Sequence, residues 1–119
     1  MAKISAVSFL YNEELKIERA LSSIRDFVDE IIVYDLESTD KTVEIARKYT
    51  NEIFTVPYLL CGDSYKVELA SRAKYDWLLW FYGDEVYPIK TAEIFRKLID
   101  KGIYTVYSFM RREYMDDVR

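Results

Sequence analysis

Short runs of β-favouring apolar residues alternate along this chain with segments whose apolar residues recur at helical spacing, and the joints between them are short. Residues 30–35 (EIIVYD) set Ile31, Ile32 and Val33 in succession with no polar alternation, as a strand covered on both faces requires. Residues 3–10 (KISAVSFL) read as a strand before it. Between them, 13–25 carries Ile17, Ala20, Leu21 and Ile24 on one helical face, with Asn12 as the expected N-cap and Glu13 and Glu14 at the positive end of the helix dipole. Ser38, Thr39 and Asp40 offer N-cap groups for a helix reaching Tyr49, with Val43, Ala46 and Tyr49 inward. A strand at 51–56 closed by Pro57, a helix at 63–74 and a strand at 77–82 come next. After Pro88, a helix at 91–101 carries Ile94, Phe95, Leu98 and Ile99 inward and stops at Gly102, and 103–109 forms a last strand. Strand and helix alternating in this way predict an α/β fold, Rossmann-like, with a mostly parallel sheet and helices on both faces.

With 119 residues the chain is expected to form a single domain, 1–119. Histidine is absent, which removes imidazole bases, Ser-His-Asp and Cys-His nucleophiles, and the usual His-containing metal clusters. Proton transfer then falls to a carboxylate, Lys or Tyr, and a metal would be a hard, oxygen-bound cation such as Mn²⁺ or Mg²⁺. The net charge of −4 argues against a nucleic-acid partner, which needs a basic stripe. The single cysteine, Cys61, forms no internal disulfide and suits a reducing compartment. The longest apolar run, 77–82, is far short of the ~20 residues of a membrane helix. No basic-then-apolar leader opens the chain, so the expected location is cytoplasmic.

In open α/β sheets ligands bind outside the carboxyl ends of the strands. There the sequence places Tyr11-Asn12-Glu13 after strand one, Asp35 and Glu37-Ser38-Thr39-Asp40 after strand two, and Tyr82-Gly83-Asp84-Glu85 after the strand from Trp77. Carboxylates gathered at one edge repel unless a cation or hydrogen-bond donors separate them. Asp35 ends an apolar strand, and Asp84 follows a glycine that allows close backbone approach. Asp40 and Thr39 also fit helix capping, and Glu13 a solvated first turn.

Residues 4–13 (ISAVSFLYNE), 30–42 (EIIVYDLESTDKT) and 76–85 (DWLLWFYGDE), at these separations, resemble the family-2-type glycosyltransferases of the GT-A fold. The likeness runs from residue 3 to about 109. Its second block is the most specific, because a buried strand, one Asp and Ser-Thr-Asp-x-Thr opening a helix rarely coincide. The resemblance implies that the chain is the nucleotide-sugar-binding half of such an enzyme. Tyr11, Glu13 and Asp35 would hold the base of a nucleoside-diphosphate sugar, UDP-type by preference, and Lys66 would meet a phosphate. Asp84 would carry a divalent cation that offsets the charge of the leaving diphosphate. The sugar would pass to a hydroxyl acceptor on a glycan, lipid or protein, with inversion.

Three positions depart from the family pattern. Tyr82 stands in place of the first Asp of Asp-x-Asp, either substituting for its contact or weakening the metal site; Glu37 replaces the usual Gly, and Val67 a frequent Asn. Family members also continue past the length seen here, so the chain is expected to be truncated before the acceptor-binding part. The catalytic base is unassigned: Glu113, Asp116 and Asp117 are available, but 111–119 reads as a solvated charged end. Other readings are a non-catalytic nucleotide-sugar-binding module, a metal-dependent nucleotidyltransferase and a receiver-like signalling domain. Phe9-Leu10-Tyr11-Asn12 is not the glycine-rich basic loop that nucleotidyl transfer typically needs, and Glu13-Glu14 only loosely fits a receiver.

Overall fold

The computed structural model describes residues 3–59, 62–75, 77–83, 93–94, 96–98 and 100. Four strands, β1 (Ile4–Leu10), β2 (Glu30–Asp35), β3 (Ile53–Thr55) and β4 (Trp77–Trp80), form one sheet in the order β3-β2-β1-β4. Every pairing is parallel, with Leu10 opposite Asp35, Asp35 opposite Thr55 and Val7 opposite Trp80. The chain grows outward from β1 to β3 and then returns to place β4 on the other side of β1. The carboxyl ends of β1 and β4 therefore flank the topological switch point, where such sheets open a crevice.

Side chains alternate across the sheet. Ile4, Ala6 and Leu10 of β1, Ile31 and Val33 of β2, and Leu79 with Phe81 meet α1 (Ile17–Ile24) and α2 (Thr42–Ala46) in one buried cluster. Val7, Ile32 and Tyr34 face the opposite way, onto Leu69 of α3 (Lys66–Ser71), with Phe9, Phe54, Leu78 and Trp80 at the margin. Helices thus cover both faces, and the uninterrupted apolar run of β2 is buried along its whole length. Tyr34 is fully buried; its hydroxyl donates to Glu68 Oε2 (2.5 Å) and accepts from Arg72 Nε (2.7 Å), which satisfies the one polar atom of a large core side chain.

Several boundaries differ from the sequence expectation. Asn12 does not cap a helix. It sits at φ 49°, and its Oδ1 accepts the N–H of Thr39 (2.8 Å), 27 residues away. The chain instead turns through 14–16, with the N–H groups of Lys16 and Ile17 both on the Glu13 carbonyl, and α1 begins four residues later than the sequence suggests. The long helix expected at 63–74 is a 3₁₀ turn, Gly62–Tyr65, followed by the short α3. The second helix is likewise limited to Thr42–Ala46, with a turn to Tyr49.

Residues 93–94, 96–98 and 100 are helical, as expected, but Ile94 is 54% exposed rather than inward. This helix presents Arg96 to the body of the protein, where its Nη2 meets Asp29 Oδ2 at 3.3 Å. Phe95 and Ile99, the turn at Gly102, the strand at 103–109 and the charged end at 111–119 lie outside the described residues. No described helix is long and apolar enough to cross a membrane.

Candidate functional site

Parallel pairing sets four chain exits side by side at the carboxyl edge. The N–H of Leu36 donates to the Leu10 carbonyl (2.8 Å), that of Val56 to the Asp35 carbonyl (2.9 Å), and that of Phe81 to the Val7 carbonyl (3.1 Å). The loops beginning at Tyr11, Leu36, Val56 and Tyr82 consequently leave the sheet as neighbours.

Two relays bind the first of these loops to the second. The N–H of Asn12 donates to Ser38 Oγ (2.9 Å), and that hydroxyl donates to Asp35 Oδ1 (2.6 Å). In parallel, the N–H of Glu13 donates to Thr42 Oγ1 (2.7 Å), whose hydroxyl donates to Asp40 Oδ1 (2.5 Å). Each relay runs from a backbone donor through a hydroxyl to a carboxylate, so each bond polarises the next. Further N–H groups complete the lock: Ser38 to Asp35 Oδ2 (3.0 Å), Thr42 to Asp40 Oδ1 (2.9 Å) and Glu14 to Asp40 Oδ2 (3.2 Å). These donors offset the negative charge of the two aspartates. Burial pushes the Asp40 carboxyl up, but the Thr42 hydroxyl and the N–H groups of Thr42 and Glu14 outweigh it and hold it below its ordinary value.

Asp35 is 2% exposed, with one hydrogen bond from Ser38 on each oxygen and a further lone pair left on each. Tyr11 is 43% exposed and packs its ring on Tyr58, centroids 4.6 Å apart and planes 51° apart. Glu13 is half-buried and lies against Gly83, where a Cβ would fall 2.9 Å from Glu13 Cγ and 3.1 Å from Leu10 Cδ2. Only a residue without a side chain lets the β4 exit approach the β1 exit this closely. Lys66 opens α3, with its Nζ 5.7 Å from the centre of the Trp80 ring at the end of β4. Tyr82 is 43% exposed and Val67 85%.

The structure thus gathers Tyr11, Glu13, Asp35 and Gly83 at one edge, with Lys66 near the end of β4. Asp84 and Glu85 lie outside the described residues. Among the described residues no three acidic, Cys or His side chains converge on a metal position. The described residues do not make a metal centre.

Sequence reasoning assigns Thr42 and Tyr58 no part in the site, and places Asn12 and Ser38 at this edge only as helix caps. Ser38 was legible as capping chemistry, yet its partners are a strand end and a loop 26 residues upstream. Glu37 adopts φ 58°, a left-handed conformation that costs a non-glycine residue about 1–2 kcal/mol. Glycine would adopt this conformation without that cost. A separate groove of about 830 Å³, lined by Ser22, Asp26, Asp29 and Arg96 among others, opens toward the amino ends of β1 and β2 and is not part of this edge.

With that geometry in view, comparison with known proteins is decisive. The model of the family "Glycosyl transferase family 2" matches residues 5–119. The chain belongs to this family. Among its family-2 relatives, an uncharacterized glycosyltransferase of Rickettsia bellii is 36% identical over 114 residues, covering 95% of this chain and 36% of the relative. One from Rickettsia felis is 35% identical over 116 residues, covering 97% and 38%. The family-2 chain therefore spans little more than a third of the length of these curated relatives. The fold is that of S. aureus TarS, with a TM-score of 0.71 at 21% identity over 83% of this chain and 32% of that one. Glucosyl-3-phosphoglycerate synthase from Mycobacterium tuberculosis, solved with Mn²⁺, UDP and glucosyl-3-phosphoglycerate, aligns with a TM-score of 0.62 at 26% identity, covering 73% and 35%.

Proposed function

We propose that residues 1–119 form a single domain that binds a nucleoside-diphosphate sugar, UDP-type by preference, and serve as the donor half of a glycosyltransferase. The observation that carries this reading is the double relay from Asn12 and Glu13 to Asp35 and Asp40. It fixes the loop after β1 against the β2 exit, beside the switch point of the sheet, and supports reading that loop as the one that holds the base. Asp35 would accept from the base N–H through its remaining lone pairs, Tyr11 and Glu13 would frame the nucleoside, and Lys66 would meet a phosphate oxygen. Tyr82 would lie beside the ribose. Mn²⁺ or Mg²⁺ would be held at Asp84 and would supply charge to the leaving diphosphate. The acceptor is a hydroxyl compound, transfer is inverting, and the enzyme works in the cytoplasm. The mycobacterial synthase supports the ligand class, because its structures contain UDP, UDP-glucose and Mn²⁺.

Nucleotidyl transfer fits less well. The N–H groups of Asn12, Glu13 and Glu14 are all engaged by Ser38, Thr42 and Asp40, so the first loop offers no phosphate cradle from those amides. A non-catalytic binding module draws support from the exposed Tyr82 in place of an Asp. Calorimetry with a panel of nucleoside-diphosphate sugars, with and without Mn²⁺, tests the reading. Metal-dependent binding that Asp84→Ala abolishes is the expected result; no binding of any nucleotide sugar overturns it. Sugar-nucleotide hydrolysis or transfer then separates enzyme from module.

A further inference from the structure

The side chain of Glu37 reaches the loop after β3. Its Oε1 accepts the backbone N–H of Tyr58 at 3.0 Å, 21 residues further along the chain. A residue in a left-handed conformation that glycine would adopt without cost here carries a carboxylate that clasps the loop after β3. That loop is held from its other side by the Tyr65 hydroxyl, which donates to the Pro57 carbonyl at 2.7 Å. The peptide unit joining Pro57 to Tyr58 is thus held at both its N–H and its carbonyl, and the Tyr58 ring is set on Tyr11 with centroids 4.6 Å apart. Both rings stay open to solvent, 43% for Tyr11 and 45% for Tyr58. Two large aromatics packed at 51° to one another, half-exposed and at the exits of β1 and β3 that flank Asp35, offer ring surface of the kind on which a base can stack.

We infer that Tyr58, positioned by Glu37, completes with Tyr11 an aromatic platform on which the base of the bound nucleotide stacks. The inference rests on the nucleotide-sugar reading above and adds to it a binding residue, Tyr58, and a positioning residue, Glu37. It also accounts for the departure from glycine at 37: the backbone cost is offset by a tether that glycine cannot supply. Stacking reads the presence of a base and tolerates its identity, whereas hydrogen bonding at Asp35 selects among bases.

The test is calorimetry of the full chain with UDP and with UMP in the presence of Mn²⁺, comparing wild type with Tyr58→Ala, Tyr58→Phe, Glu37→Gln and Glu37→Gly. Loss of one stacking partner should weaken UDP and UMP alike, by about tenfold, in Tyr58→Ala. Tyr58→Phe should restore wild-type affinity, and Glu37→Gln should keep it through its amide oxygen. Glu37→Gly should weaken binding by a smaller factor while holding or raising the thermal midpoint, because it relieves the backbone as it removes the tether. Unchanged affinity in Tyr58→Ala overturns the platform and leaves the nucleotide-sugar reading standing. A loss seen with UDP but not UMP puts Tyr58 on the diphosphate and overturns it as well. If wild type binds neither nucleotide, the reading beneath fails too, a result distinct from the other two.

Discussion

Gly83 and Glu13 touch across the switch point of the sheet: a Cβ on Gly83 would lie 2.9 Å from Glu13 Cγ and 3.2 Å from Glu13 Cβ. The contact joins the exits of β4 and β1, the two strands that flank the crevice. Leu10, 2% exposed, closes the space behind it at 3.1 Å.

Gly83→Ala must therefore displace Glu13, Leu10 or the backbone at 83. Overpacking of this kind costs about 1–3 kcal/mol. Chemical denaturation should show that loss, and nucleotide affinity should fall with it because the two exits move apart. Wild-type stability and affinity in the variant would mean that the exits are not held in register by this contact.

Ser38 and Asp35 separate structure from recognition. Ser38→Ala removes the hydroxyl that links Asn12 to Asp35 and leaves a backbone donor and a buried carboxylate each short of a bond. A loss of about 1–3 kcal/mol in unfolding free energy is expected. Asp35→Asn should in addition weaken UDP binding by roughly 1–3 kcal/mol, since the amide must present an N–H where the base presents one. Titration of both variants with UDP checks this; equal affinities in wild type and Asp35→Asn would place the base elsewhere.

Asp40 makes the loop lock sensitive to acid. Its folded carboxyl titrates below the ordinary value of 3.8, so its contribution is present above that value and is lost as pH falls through the depressed folded one. Thermal melts of wild type and Asp40→Asn should converge in this acid range and diverge near neutrality, with wild type the more stable. A constant difference across the range would rule out the Asp40 carboxylate as the source.

The amino edge of the sheet behaves in the opposite sense. Burial, the charge of Glu30 and a hydrogen bond to Glu30 raise the Glu52 carboxyl above its ordinary value of 4.5, and Lys74 opposes them. Glu30 is only 9% exposed; its Oε1 accepts from Ser5 Oγ (2.6 Å) and the Lys74 N–H (2.9 Å), while buried Oε2 receives no donor as long as Glu52 is ionised. A proton on Glu52 relieves this pair. Stability is then fullest below pH 4.5 and declines as pH rises through the raised folded value. Glu52→Gln should raise the thermal midpoint by about 2–5 °C at pH 7 and leave it unchanged near pH 4. A midpoint at pH 7 equal to that of wild type would show that the pair carries no such strain.

How much of this could be read beforehand varies from one element to the next. The span of β2 was readable residue by residue, because an unbroken apolar run fits only a strand covered on both faces. Ile17, Ala20, Leu21 and Ile24 were likewise legible as the inner face of α1, since helical spacing is a local property. The start of α1 was not. Asn12 carries capping chemistry, but a loop 27 residues later competes for its side chain and wins.

The chain's own order of residues settled its α/β class, its family and the edge at which its polar groups collect, since periodicity and motif spacing are written along one dimension. Tertiary structure alone decided which partners those groups take: Ser38 between Asn12 and Asp35, Thr42 between Glu13 and Asp40, Glu37 under Tyr58, Gly83 against Glu13. Each contact joins segments 20 or more residues apart except the turn from Asp35 to Ser38 and that from Asp40 to Thr42, and hydrogen-bond partners at that range are chosen by strand order and register, which no local pattern encodes.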